Sequence, residues 1–244
     1  FLKNIGGFKT VTIAERKKNF GLAESIIVGV TEIINKFGKI IVMEDDLITS
    51  PFFLQFMNDG LNIYEKKERV ISIHGYVLPV KKSLPETFFL RGADCWGWAT
   101  WKRGWDIFQS DGKKLLGELE RNNLTKKFDL GGNFHYTEML KRQIAGKNNS
   151  WAIRWHASAF LADKLTLYPG KSLVDNIGQD ASGTHKSNSN IYKTEIIKEK
   201  IKVSAISAAE SEEAKKIIIN FLKSLKPGVI KKILRKIKHL INEK

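Results

Sequence analysis

The sequence predicts an α/β fold with a mainly parallel sheet flanked by helices. Short, continuous apolar runs at 39–43 (KIIVM) and 69–77 (RVISIHGYV) are typical of strands that are buried on both faces. A helical pattern precedes the first run, LAESIIVGVTEIINKF at 22–37, and another separates the two. Strands that alternate with helices indicate parallel pairing, with the helices packed on the sheet.

Charge and cysteine content narrow the class of protein. The chain of 244 residues carries 41 Lys and Arg against 26 Asp and Glu, a net charge of +15 that favours an anionic partner such as a phosphate-bearing ligand, anionic lipid or nucleic acid. Cys95 is the single cysteine, which excludes an internal disulfide framework and a Cys-based zinc site and favours a cytoplasmic location. No apolar run reaches the roughly 18–20 residues of a membrane span.

The first half of the chain predicts one α/β unit followed by a helix. A strand at 9–14 leads through the helix at 22–37 into the strand at 39–43, which we interpret as central in the sheet. The next helix begins at Ser50 as N-cap with Pro51 in its first position. Because the chain opens inside such a unit, we expect the N-terminal part of the domain to precede residue 1.

The second half is less regular. TFFLRGADCWGWATWKRGWDIF at 87–108 predicts a strand, a glycine turn and a tryptophan-rich segment, and the polar stretch 111–150 is mostly helical by pattern. DASGTHKSNSN at 180–190 is predicted to be a loop. We expect a main domain at 1–190, an extension at 191–226 with an edge strand or two and a helix, and a separate helix at 227–244.

The last predicted helix, PGVIKKILRKIKHLINEK at 227–244, is basic and amphipathic. Its apolar residues form one stripe, and five Lys and Arg side chains fill the opposite side. Such a helix suits the surface of an anionic membrane. We therefore expect a peripheral protein at the inner face of the cytoplasmic membrane.

Three adjacent acids, Glu44, Asp45 and Asp46, follow the strand at 39–43. They repel one another and need a cation or hydrogen-bond donors, and carboxylate oxygens are the ligands that Mg²⁺ and Mn²⁺ prefer. The carboxyl end of a strand in an α/β sheet is where ligands bind. The alternative is a solvated strand end whose acids cap the next helix.

The segment RKKNFGLAESIIVGVTEIINKFGKIIVMEDDLITSPFFLQF at 16–56 resembles the core of GT-A nucleotide-sugar glycosyltransferases, in particular the N-acetylglucosaminyltransferase I family. In that family a basic segment and a helix lead into an apolar strand that ends in Glu-Asp-Asp-Leu, followed by a Pro-Phe-Phe helix. RVISIHGY and TFFLRGADCWGWATWKRGW are similar to the next family segments, in the same order. The likeness covers 9–110, extends loosely over 150–186, and includes bacterial relatives with DCWGWATW, WAIRW and NIG-DGSGTH segments.

The resemblance implies a GT-A-type sheet and a metal-dependent enzyme. Such an enzyme transfers a sugar from a nucleotide-sugar donor, here a UDP-sugar such as UDP-GlcNAc, to a hydroxyl of a glycan or lipid-linked saccharide, with inversion. Asp46 would bind Mn²⁺ or Mg²⁺, and Glu44 and Asp45 would contact the sugar and ribose side of the donor. Arg16 stands where the family has a basic residue near the nucleotide. His185 is a candidate second metal ligand or phosphate contact, with a simple loop histidine as the alternative.

An inverting transferase also needs a carboxylate as general base for the acceptor hydroxyl. Asp94, at a strand-to-helix turn beside the tryptophans, is the first candidate, although it could instead cap the following helix. Glu138 stands near the position of the family's base, in a segment that lacks the family's Trp-Asp-Asp-Trp context. Asp180 is the third candidate.

The tryptophans and one arginine are candidates for acceptor binding. Trp96 and Trp98, at the mouth of the glycine turn, could form an apolar platform for a sugar ring or could belong to the core. We assign Trp101 and Trp105 to the core. Arg154, in SWAIRW, is either a structural arginine stacked between tryptophans or a phosphate contact.

Two other functions compete with the transferase. A noncatalytic basic module for anionic membrane or nucleic acid would explain the charge of +15. However, much of the clustered positive charge lies in the tail, whereas nucleic-acid binders interleave basic and aromatic residues on a folded face, so we expect no nucleic-acid partner. A metal-dependent phosphohydrolase would need more scattered Asp and His ligands than this chain offers.

Overall fold

The computed structural model describes residues 4–178 and 190–225, which form a mixed α/β structure. The described helices are α1 (Leu22–Phe37), α2 (Phe53–Ile63), α3 (Lys102–Trp105), α4 (Gly112–Arg121), α5 (Thr125–Phe128), α6 (Tyr136–Ile144), α7 (Trp151–Leu161) and α8 (Glu212–Leu225). The described strands are β1 (Lys39–Val42), β2 (Leu47–Thr49), β3 (Val70–His74), β4 (Thr87–Arg91), β5 (Trp98–Trp101), β6 (Leu165–Pro169) and β7 (Val174–Asn176).

The main sheet is mixed, and the expectation of mainly parallel pairing is wrong. Its five strands have the order β1-β5-β3-β6-β4, and β2 pairs with β7 in a separate two-stranded ribbon. Only β3 and β6 pair in parallel, whereas the other neighbours in this sheet are antiparallel. Since β1, β3 and β6 still run in one direction, their carboxyl ends share one edge of the sheet.

The physical reason for the antiparallel pairing is the insertion of β5 between β1 and β3. Trp98 pairs with Val42 on one side and with His74 on the other. All four residues of this short aromatic and β-branched strand are buried, so it gains packing on both faces. The insertion also corrects the placement of β1, which lies at an edge of the described sheet and is only partly buried over three of its four residues.

Several predicted elements are confirmed and others are wrong. Helix α1 has the predicted bounds, with Gly38 as a left-handed C-cap, and α8 and the helices between 111 and 150 are present. Residues 9–14 form no strand and are exposed, and residues 193–211 contain no strand either. Helix α2 begins at Phe53, because Ser50 forms a turn first and accepts a hydrogen bond from the Phe52 N–H. The predicted helix at 227–244 lies outside the described residues.

Trp98 lies at the centre of an aromatic core and cannot serve as a surface platform. Its side chain is 0% exposed, with ring centroids of Trp105, Trp151 and Trp155 at 5.8, 5.5 and 5.8 Å. The assignment of Trp101 and Trp105 to the core is confirmed, since both are buried. This core lies between α1, α7 and the sheet.

The segment after the undescribed loop packs on the same domain. Ile201 and Val203 join the core formed by α2 and the sheet. On α8, Ala214, Ile218 and Leu222 pack with residues of the β4 and β6 face. Of the helices described, none combines the length and apolarity that a membrane crossing needs.

Replacement of Trp98 by Ala should lower the free energy of unfolding by about 3–5 kcal/mol, the usual cost of removing a large aromatic side chain from a packed core. Trp96→Ala, at a partly exposed position two residues away, is the matched control and should cost less than half as much. Chemical denaturation followed by circular dichroism measures both values. Equal losses in the two variants would contradict the distinction between a core and a surface tryptophan.

Candidate active site

The candidate site lies at the sheet edge where β1, β3 and β6 end. Glu44, Asp45 and Asp46 follow β1 after Met43, and β3 ends at His74, two residues before Tyr76. The antiparallel strand β5 begins at this edge, so the loop before it, residues 92–97, also reaches the edge. The pairing of strands therefore brings two distant parts of the sequence together.

The three acids are held by a tight turn and by the β2–β7 ribbon. The Leu47 N–H donates to the Glu44 carbonyl at 3.4 Å, and β2 then pairs with β7. The residues after β7 close against Asp46: the Ile177 N–H donates to its carbonyl oxygen at 2.9 Å, and Asn176 Nδ2 donates to its Oδ2 at 3.4 Å. A Cβ at Gly178 would collide with the Asp46 carboxylate, so glycine is required for this close approach.

Asp46 offers one carboxylate oxygen with no partner. Its Oδ1 is buried and accepts no hydrogen bond from any residue that the structure describes. A buried carboxylate oxygen without a donor is costly, and a cation would satisfy it. Within the described ranges, no three His, Cys, Asp or Glu side chains converge as a group able to hold a metal ion. The single Asp46 carboxylate would suit a hard cation that takes its other ligands from a bound anion.

Glu44 is held in surroundings that oppose its charge. Burial raises its pKa to about 7 from 4.5, and Asp46 and then Asp45 add to the effect through repulsion. Asp45 is exposed, whereas Glu44 and Asp46 are partly buried. None of the three forms an ion pair within the described part of the chain. The acids thus remain uncompensated in a chain whose net charge is +15.

The backbone of the loop 92–97 is fixed at three points. Thr166 Oγ1 donates to the Gly92 carbonyl at 2.7 Å, and His156 Nδ1 donates to the Ala93 carbonyl at 2.8 Å. The Trp96 N–H donates to His74 Nε2 at 3.1 Å. Gly92 has a φ of +103° and lies against His156, where a Cβ would come within 2.5 Å of the ring, so only glycine fits.

Asp94 lies between these fixed points and precedes β5, so it caps no helix. Its Oδ2 accepts a hydrogen bond from the Tyr168 hydroxyl at 2.6 Å. Burial raises the pKa of the Tyr168 hydroxyl well above its usual range, and the charge of Asp94 raises it further. Asp94 is partly buried and forms no ion pair with any described residue.

The strand pairing brings Asp94 and the triplet to one edge of the sheet. Because Val42 pairs with Trp98, the residues that follow β1 and those that precede β5 leave the sheet at the same end. Burial raises the pKa of the Cys95 thiol, and the charges of Asp94, Glu44 and Asp46 add to the effect, in that order.

Aromatic side chains adjoin the acids. Trp96 is partly exposed, and its ring contacts Tyr76 edge-on at 4.7 Å and Tyr192 at 6.4 Å between centroids. The Tyr76 hydroxyl donates to the Tyr192 carbonyl at 2.8 Å, which connects the segment that begins at residue 190 to the site. Trp96 therefore keeps its place as a candidate sugar platform.

The expectation that Arg154 binds acceptor is not met by its position in the fold. Its side chain is 7% exposed on α7 and donates to the carbonyl oxygens of Ser150 and Ser110 at 3.1 and 3.2 Å and to Asn149 Oδ1 at 3.4 Å. These contacts connect the start of α7 to the loop before α4. Arg154 is a structural arginine.

Of the four remaining candidates, the structure describes Arg16 and Glu138. Arg16 lies in the exposed N-terminal segment, with its guanidinium 5.2 Å from the centre of the Phe20 ring. Glu138 is exposed in the first turn of α6, the helix that Tyr136 begins. Asp180 and His185 lie outside the described residues.

A cavity of about 470 Å³ lies beside the acids rather than at them. It is lined by residues 77–84, 170–172 and 194–199, which include four lysines, and none of the candidate acids contributes to it. The N–H of Thr194, one of the lining residues, donates to Asp175 Oδ1 at 3.0 Å, which connects the cavity lining to β7.

Three residues of the site did not stand out in the sequence: His74, Tyr76 and Tyr168. Their signal is positional, because each lies in or directly after a buried strand, near its carboxyl end. In LTLYPG the two leucines alternate with Thr166 and Tyr168, which places both polar side chains on one face of β6. The tyrosine directly before Pro-Gly thus lies at the carboxyl end of β6, at the edge of the candidate site.

Comparison with known proteins yields no relative: the chain matches no protein-family model, and the search of curated proteins finds no match.

Glu44→Gln should make the protein more stable at neutral and alkaline pH. A raised carboxyl pKa in the folded state means that the wild type loses stability as the pH rises from 4.5 to about 7, and this loss persists above 7. The variant avoids this loss of stability. Its free energy of unfolding should therefore exceed that of the wild type by about 1–2 kcal/mol at pH 8, a value that allows for solvent screening. Below pH 4.5 the two proteins should have the same free energy of unfolding.

Urea denaturation at several pH values in the presence of a chelator measures this difference. Glu32→Gln, which removes the same charge from an exposed position on α1, is the control and should show no such pH dependence. A constant difference between Glu44→Gln and the wild type across the pH range would contradict the buried, repelled state of Glu44.

Proposed function

We propose that the protein is a metal-dependent glycosyltransferase of GT-A type, which transfers a sugar from a UDP-sugar to a hydroxyl of a glycan or lipid-linked saccharide with inversion. The likeness of the 16–56 and 69–105 segments to the N-acetylglucosaminyltransferase I family motivates the proposal. The common carboxyl edge of β1, β3 and β6 supports a GT-A-type sheet, because ligands of open α/β sheets bind at that edge.

One observation carries the proposal: the pairing of Trp98 with Val42 and His74 brings Asp94 and the acid triplet, which are far apart in the sequence, to the same edge of the sheet. A transferase needs a group that holds the donor diphosphate and a base that faces the acceptor, both near the bond that breaks. A helix-capping role for the acids would explain neither the buried, unpartnered Oδ1 of Asp46 nor the proximity of Asp94.

In this mechanism Asp46 would hold Mn²⁺ or Mg²⁺, and Glu44 would contact the sugar and ribose side of the donor. The metal, when bound, would supply the positive charge that stabilises the departing nucleoside diphosphate. Asp45 is exposed and free to meet the ribose or sugar of the donor. Arg16 is proposed to contact the nucleotide and His185 to be a second metal ligand.

Asp94 removes the proton from the acceptor hydroxyl. The hydroxyl oxygen forms a bond to the anomeric carbon, and the bond from that carbon to the diphosphate oxygen breaks with its electron pair. Trp96 offers an apolar face for a sugar ring. Glu138 and Asp180 remain alternative bases in the proposal.

Calorimetry with UDP tests the donor site. The wild type should bind UDP in the presence of Mn²⁺ and at least tenfold more weakly in the presence of a chelator, since the metal links the carboxylate to the diphosphate. Asp46→Asn keeps the size of the side chain and removes the charge, and it should abolish the effect of Mn²⁺. Asp59→Asn, the same change on α2, is the control and should bind as the wild type does.

Two results would contradict the proposal. Absence of UDP binding with metal, or metal-dependent binding that survives Asp46→Asn, would overturn the donor site. Metal-independent binding of UDP together with equal binding of unrelated polyanions would favour the basic binding module, for which the net charge of +15 is the supporting observation.

Membrane attachment is a second part of the proposal and rests on the sequence of residues 227–244 alone. The enzyme would be held by this segment at the cytoplasmic face of the membrane, where lipid-linked acceptors are available. Deletion of 227–244 should lower binding to vesicles with 30% anionic lipid by about tenfold or more, as several Lys and Arg contacts are lost. Neutral vesicles are the control, and unchanged flotation of the shortened chain with anionic vesicles would contradict attachment by this segment.

A further inference from the structure

Asp94 has one carboxylate oxygen that is engaged and one that is free. Oδ2 accepts the Tyr168 hydroxyl at 2.6 Å, a length typical of a charge-assisted hydrogen bond. No other hydrogen bond to Asp94 is formed by the residues at 4–178 and 190–225. A base that acts on an acceptor hydroxyl requires this arrangement, because one oxygen orients the group while the other takes the proton.

The phenol of Tyr168 is itself fixed. Its ring stacks on Phe88 with centroids 5.6 Å apart and an angle of 10°, and its other neighbour is His74, edge-on at 5.2 Å. The side chain is 6% exposed. Because the ring cannot swing away without breaking these contacts, the hydroxyl stays directed at Asp94.

No described cation shares the charge of Asp94. His74 and His156 are the nearest basic groups, but burial lowers the pKa of each, so both rings are neutral at neutral pH. Their nitrogens bind the loop backbone at Trp96 and Ala93 and not the Asp94 carboxylate. Four further groups within electrostatic range of Asp94 are acidic when they ionise: Cys95, Tyr76, Tyr136 and Tyr168. Glu44 and Asp46, which act on Cys95 together with Asp94, are acidic as well.

We propose that Tyr168 is a positioning residue for Asp94: its hydroxyl holds Oδ2 and leaves Oδ1 for the acceptor hydroxyl. The assignment of Asp94 as base rests on the proposed function, whereas the hold of Tyr168 on Asp94 rests on the hydrogen bond alone. Separate contacts then fix the two parts of the loop: three hydrogen bonds hold the backbone at 92, 93 and 96, and Tyr168 holds the Asp94 side chain. Tyr168 touches neither donor nor acceptor in this arrangement.

Carbon-13 NMR of protein labelled at the aspartate side-chain carboxyl carbon tests the hold without any substrate. Asp94→Asn identifies the Asp94 signal by its loss. In Tyr168→Phe the titration midpoint of that signal should rise by about one pH unit, because a donor to the ionised form is removed. Tyr64→Phe is the matched control: it removes another buried hydroxyl, which donates to the Ser204 carbonyl at 2.8 Å, and should leave the Asp94 signal unchanged.

A second variant keeps the test valid if Tyr168→Phe does not fold. Incorporation of 3-fluorotyrosine at position 168 preserves the ring and makes its hydroxyl a stronger donor, so the midpoint of the Asp94 signal should fall. An unchanged midpoint in Tyr168→Phe, or in the fluorinated protein where Phe is not tolerated, overturns the proposal.

Steady-state kinetics provides the second measurement. With UDP-sugar and acceptor, Tyr168→Phe should lower kcat by about tenfold or more, leave the KM for donor unchanged, and move the acidic limb of the kcat pH profile upward by the same interval as the NMR midpoint. If the wild type transfers no sugar, the proposed function is contradicted. The NMR result still decides whether the Tyr168 hydroxyl binds the Asp94 carboxylate. Transfer with an unaltered pH profile in Tyr168→Phe would leave the function standing and overturn the role of Tyr168.

Discussion

The pairing register of β5 is the constraint on which the candidate site depends. Trp98 pairs with Val42 at the end of β1 and with His74 at the end of β3. This register sets the two preceding residues of the chain at the sheet edge, where the Trp96 N–H meets His74. Since a slip of one residue would turn every side chain of β5 to the opposite face, the aromatic core around Trp98 and the position of Asp94 are specified together.

Electrostatics at this edge differ from those of the chain as a whole. The net charge is +15, yet Glu44, Asp45, Asp46 and Asp94 have no ion pairs among the described residues. A fold that served only stability would pair such groups or expose them fully. Here Glu44, Asp46 and Asp94 are partly buried, and Asp94 lies beside neutral histidines and Tyr168. In the proposed function, a bound cation and a sugar hydroxyl would relieve the unfavourable energy of this arrangement.

Local patterns predicted the helices well and the sheet less well. The bounds of α1 follow from its periodicity and from Gly38, and the position of the acid triplet follows from the apolar run before it. The place of β5 between β1 and β3 depends on pairings between distant segments, which no local pattern records. For the same reason Trp96 and Trp98 looked equivalent in sequence, although Gly97, with a φ of +65°, separates a surface turn from a buried strand. Arg154 was ambiguous because one of its acceptors, the Ser110 carbonyl, lies 44 residues earlier in the chain.

The insertion of β5 also has a consequence for the folding pathway. Helix α1 and β1 make local contacts, whereas the pairing of β5 with both β1 and β3 closes long loops and is entropically costly. The acids come into the neighbourhood of Asp94 only when that closure is complete, so their mutual repulsion does not oppose the early, local steps. The unfavourable energy of bringing these acids together therefore enters late in folding, after the hydrophobic contacts that offset it have formed.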